Sequence, residues 1–77
     1  MDSIHELDIV VLRHDLPEHG LTQGDVGAVV HTYRDGEALE VEFVTGEGDA
    51  VAVVTLTQSD IRLMQSREIL HVRDLAA

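Results

Sequence analysis

Two glycines open a β-branched run at Gly24-Asp25-Val26-Gly27-Ala28-Val29-Val30. A second run, Leu39-Glu40-Val41-Glu42-Phe43-Val44, alternates apolar with acidic side chains. The pairing of these two segments constrains the chain more than any other feature. Period-two alternation describes a strand with one buried and one wet face. A glycine inside a β-branched run marks a bulge or a close backbone approach, the devices by which a small sheet bends. The Arg34-Asp35-Gly36-Glu37 stretch between the runs carries Asp-Gly, a favoured type I′ hairpin pair.

The remaining segments read the same way. Residues 1–6 form a frayed start, and Leu7–Arg13 reads as a first strand. His14–Gly24 is a loop built on Pro17, Gly20 and Gly24. Asp25–Tyr33 and Ala38–Thr45 are strands two and three. Gly46-Glu47-Gly48-Asp49 turns the chain into a fourth strand, Ala50–Leu56. That strand is apolar on both faces over Val51–Val54, as in a strand buried on both sides or covering a partner. Thr57-Gln58-Ser59 suits a 3₁₀ turn before a fifth strand at Asp60–Met64. In the 65–77 extension, Ile69, Val72 and Leu75 fall at helical spacing while Leu70 and Val72 alternate as in a strand. The β-branched residues favour a sixth strand over a helix. The 77 residues therefore predict a single all-β domain, a small barrel of five strands with a C-terminal extension. A long first loop, two tight hairpins and a 3₁₀ turn, in that order, are the SH3-like arrangement.

Charge narrows the function classes. Fifteen Asp and Glu face five Arg, with no Lys, for a formal net charge of −10. Phosphate binding rests on Lys and Arg releasing counterions, so a nucleic-acid partner is not expected. Tyr33 and Phe43 are the only aromatic residues of the Phe, Trp and Tyr class. They are too few for the stacking platforms of single-strand binding or the groove of a proline-peptide reader. The absence of Cys excludes thiolate chemistry and agrees with a cytoplasmic setting. No basic-then-apolar leader and no membrane-length apolar run is visible.

The order Asp8-x-Val10, Gly24-x-x-Gly27-x-Val29 and Val41-Glu42-Phe43 resembles the KOW-like branch of SH3-like barrels. Leu7–Leu12, Asp15–Leu21, Gly24–Val30 and Glu40–Phe43 together resemble a family of small bacterial proteins known only as a domain of unknown function. The resemblance runs from about Leu7 to Met64, with the Ile69–Leu75 tail open as an extension of it. It implies an SH3-like barrel and supplies no catalytic residues. It also suggests a companion of a neighbouring protein, in the manner of an antitoxin or immunity protein.

Three function classes follow. The first is a non-enzymatic interaction module that meets a basic protein through Glu37, Glu40, Glu42, Glu47 and Asp49. The bland counterpart of that reading is a solvated strand face. The second is a KOW-like nucleic-acid- or ribosome-associated module. The third is a small-molecule or metal binder using His14 and His19 in His14-Asp15-Leu16-Pro17-Glu18-His19, a loop with ligand chemistry but no fixed geometry. A solvated turn explains the loop as well, so neither a metal nor any other cofactor is expected. No Ser/His or paired-carboxylate constellation supports catalysis, and His31, His71, Ser3, Ser59 and Ser66 stand without partners in the sequence. The fourth strand and the tail leave a homodimer open through an exposed edge or an exchanged segment.

Overall fold

A computed structural model describes residues 4–33, 36–70 and 72–75. Five strands, β1 (Ile9–Leu12), β2 (Val26–Tyr33), β3 (Ala38–Val44), β4 (Ala50–Thr57) and β5 (Ile61–Leu63), form one antiparallel sheet in the order β4-β3-β2-β1-β5. The expected all-β class and five strands are present. The closed barrel is not: no ladder joins the edges β4 and β5. Closure is replaced by curl. Val10 and Leu12 of β1, Val29 of β2, Leu39, Val41 and Phe43 of β3, Val54 and Leu56 of β4, and Ile61 of β5 share one core. A single sheet gathers both of its edges around one interior only by bending over itself. The described residues contain no helix long and apolar enough to cross a membrane.

Two devices in β2 produce the bend. Gly27 is buried, and a Cβ built there would stand 2.7 Å from Val41 Cγ1, 2.9 Å from Phe43 Cε1 and 3.0 Å from the Glu42 carbonyl oxygen. Only a residue without a side chain lets β3 lay Val41 and Phe43 across β2 at that distance. Three residues on, the ladder shifts register. Val29 pairs with Val41 and His31 with Glu40, so Val30 is an extra residue in β2. This bulge moves the inward position from odd to even numbers: Val29 faces buried Val41, and Thr32 faces buried Leu39. His31 and Tyr33 therefore emerge on the outer face. The sequence allowed a bulge or a close approach at Gly27; the close approach is there and the bulge lies beyond it.

Other local expectations are corrected. Ile4 is buried in the core, so the N-terminal segment is anchored rather than frayed over its whole length. Leu7 is exposed in a left-handed conformation (φ 74°) inside a turn in which His5 N–H donates to Asp8 Oδ2 at 2.8 Å. That turn delays β1 to Ile9. The 3₁₀ helix is at Pro17–His19 in the first loop, closed by Gly20 at φ 70°. Residues 58–60 make a plain turn, because Asp60 accepts from the Thr57 N–H and pins it. The extension has neither a strand nor a helix among its described residues. The first-hairpin residues Arg34 and Asp35 lie outside the described residues. In β4, Val54 and Leu56 are buried while Val53 is exposed, so the strand is not covered on both faces.

Overpacking at Gly27 is the sharpest stability test of this arrangement. Gly27→Ala is expected to destabilise the fold by about 1–3 kcal/mol, since both the close contacts and the carbonyl resist displacement. Urea unfolding measures it, and an unchanged midpoint would show that β3 does not cross β2 this closely.

Candidate functional site

The outer face of β3 holds the acidic residues that the alternation selects. Leu39, Val41 and Phe43 point into the core, which sends Glu40 and Glu42 to the other side. Glu40 stands between His31 of β2 and Thr55 of β4, and Glu42 between Ala28 and Val53. Thr55 Oγ1 donates to Glu40 Oε1 at 3.2 Å. Desolvation first, and then the same carboxylate, hold the Tyr33 hydroxyl above the ordinary value of 10.0. The His31 and Tyr33 rings meet edge to face at 4.6 Å, and His31 Nδ1 lies 3.7 Å from Glu6 Oε2. Glu40 is thus held by Thr55 of the adjacent strand, while Glu42 sits among small and apolar neighbours.

The five candidate carboxylates do not converge on one point. Glu40 and Glu42, two residues apart on one face, are the pair that the structure brings together. Glu37 is exposed at the first hairpin, and Glu47 and Asp49 are exposed at the second, beyond the opposite end of β3. At ~3.4 Å per residue the intervening strand is about 24 Å long. The group is a stripe running the length of β3. None of its five members makes an ion pair among the described residues.

The histidine loop is arranged differently from a ligand site. His14 Nδ1 faces the Asp15 carbonyl oxygen at 3.0 Å and Nε2 faces Asp60 Oδ1 at 2.7 Å. Both ring nitrogens donate, which favours imidazolium: the Asp60 bond first, then the Asp15 carbonyl, raise His14 above 6.5. The Thr57 N–H first, then His14, lower Asp60 below 3.8. His19 ends the 3₁₀ helix and is absent from this pair. No group of three or more His, Cys, Asp or Glu among the described residues is placed to hold a metal.

Sequence reasoning missed the polar clasps of the tail. Arg73 Nε donates to Asp25 Oδ1 at 2.8 Å, and its Nη2 donates to Asp25 Oδ2 at 2.6 Å and to the Gly20 carbonyl at 3.0 Å. Asp25, only 12% exposed at its side chain, also accepts from the Thr22 N–H at 2.9 Å. Arg62 and Glu68 make a second two-point pair at 2.7 and 2.6 Å. The tail passes over a groove of about 640 Å³ lined by Leu21, Phe43, Val51, Leu70 and Leu75. No local pattern signals these contacts, whose partners in the Arg73 case are 48 residues apart. His71 and Ser3 lie outside the described residues.

The pH dependence follows from these partners. Arg73 first, then the Thr22 N–H, lower Asp25 below 3.8, and Arg62 and the Gln65 N–H bring Glu68 to about 2. Carboxylates with depressed folded values contribute stability above the unfolded value and lose it as pH falls through the folded one. His14 has the opposite sign: its contribution is present below 6.5 and lost as pH rises through its raised folded value. Asp60→Asn is expected to return the His14 midpoint toward 6.5 in an NMR titration. Asp25→Asn is expected to flatten the acid limb of the melting-temperature profile. An unshifted His14 or an unchanged acid limb would contradict the two pairings.

The comparisons with known proteins add one finding. Neither the curated proteins nor the solved structures yield a match to the chain. A family model described as "Domain of unknown function (DUF4926)" matches residues 6–63, from the turn before β1 to the last residue of β5. The match spans all five strands and every residue of the acidic stripe, and the chain belongs to that family.

Proposed function

We propose that the protein is a non-enzymatic interaction module whose acidic β3 face docks a basic protein. The observation that carries the reading is the pair Glu40 and Glu42. They are fixed on an interior strand, Glu40 held by Thr55 of the flanking strand, and they have no cationic partner among the described residues. A strand face holds its charges at fixed spacing, and complementary charge speeds encounter and sets register. Glu37 at one end and Glu47 with Asp49 at the other extend the field along the strand.

The long first loop, two hairpins and short turn before β5 support the SH3-like, KOW-like relationship. The nucleic-acid role of some such barrels gains no support here. Arg62 and Arg73 are each occupied by a carboxylate, and Phe43 is buried. Tyr33 packs against His31 rather than standing free as a stacking platform. A bacterial antitoxin-like or immunity-like companion is the form of module that best suits a small, strongly acidic domain of this kind.

Co-expression with the product of the adjacent gene, followed by capture of the complex, tests the reading. Association is expected to slow as salt rises, and Glu40→Gln with Glu42→Gln is expected to lower the association rate about tenfold. Binding unaffected by both changes would place the partner elsewhere. Failure to capture any basic protein would remove the reading.

A further inference from the structure

The two edges of the sheet are protected unequally. β5 is three residues long, carries Arg62, and leads directly into the Arg62–Glu68 clasp. β4 is eight residues long, Ala50-Val-Ala-Val-Val-Thr-Leu-Thr57, with no charge and no proline. Among the described residues it pairs with β3 on one side only, with a bulge at Val51 that leaves Ala52–Thr57 in regular register, and Val53 is 53% exposed. A long uncharged edge strand is a template for pairing with another chain, and natural proteins ordinarily blunt it with charge, proline or brevity. The bulge at Val51 interrupts the start of the strand, and none of these devices is present over Ala52–Thr57.

We propose that a second copy of this chain covers β4, the two β4 edges pairing antiparallel across a two-fold axis near Val53 and Val54. The charge layout favours this occupant and this direction. A chain with net charge −10 repels its copy in general, yet the seam itself carries no charge. Antiparallel pairing sets the acidic 46–49 turn of one copy beside the partner's 57–60 turn, whose one acid, Asp60, is already bonded to its own His14 and Thr57 N–H. Parallel pairing would set Glu47 and Asp49 against themselves. Across the seam, Glu42 of the two copies is separated by three inter-strand steps of ~4.8 Å, roughly 14 Å, beyond the ~8 Å screening length at physiological salt. The contact closes at two copies, because it uses both β4 edges and leaves only the short β5 edges outside. It runs along the backbone and leaves Glu40 and Glu42 facing outward, apart from the docking of a basic protein.

Light scattering on the full chain tests the proposal. The expected result is a concentration-dependent species of twice the 8.5 kDa chain mass, strengthened by salt. Val53→Lys, which sets two ammonium groups beside the axis, is expected to return it to 8.5 kDa with an unchanged circular dichroism spectrum. Amide hydrogen exchange on the unsubstituted protein decides the matter if V53K fails to fold: alternate β4 amides are expected to slow as concentration rises. A wild-type chain that stays monomeric with concentration-independent exchange overturns the proposal, and so does a V53K dimer. The proposal is also overturned if Ile69→Ser with Val72→Ser, and not V53K, abolishes the dimer, which would move the seam to the exposed tail.

Discussion

The extra residue that Val30 adds to β2 decides which side chains share the outer face with Glu40 and Glu42. Before it, Gly27 and Val29 face the core; after it, Thr32 does, and His31 and Tyr33 turn outward. Uninterrupted alternation would aim His31 at Leu39, Val41 and Phe43 and leave an imidazole to be satisfied inside an apolar core. With the bulge, no buried side-chain nitrogen or oxygen among the described residues is left without a partner. The outer face also gains the Tyr33 ring, edge to face with His31.

Gly27 supplies the other half of the same constraint. Its missing side chain admits Val41 and Phe43 over β2, so β3 crosses close and the sheet curls. Curl brings β4 and β5 to one interior without joining them, and it leaves β4 as a long open edge. The core, the acidic face and the unprotected edge are therefore three consequences of how β2 is bent. A small domain gains from this geometry, since one curled sheet encloses a core that two flat layers of this length would not.

Much of this was legible in the sequence because it is local. The alternation from Leu39 to Phe43 specifies which side of β3 is wet, and the structure places Glu40 and Glu42 there. Turn residues bracket all five strands to within two residues of their ends. The position of the bulge was not legible: Val29, Val30 and His31 suit an extended strand in either register, and the choice is made by what β3 presents opposite. Ile4 and Leu7 trade places for a similar reason, since the His5–Asp8 turn consumes the residues that would have begun β1. The His14–Asp60 and Asp25–Arg73 pairs join residues 46 and 48 positions apart, so only the folded topology reveals them. The tail carries two competing periods and, among its described residues, no ladder partner, and two arginine clasps hold it instead.

Whether the β3 stripe is a docking face is tested most directly by residue-resolved NMR titration of the protein with a short arginine-rich peptide. A docking face built on Glu40 and Glu42 predicts shifts concentrated on β3 and its outer-face neighbours His31, Tyr33 and Thr55, saturating together and fading with salt. Shifts spread evenly over the acidic residues of the whole surface would contradict the account and leave β3 as an ordinary solvated strand.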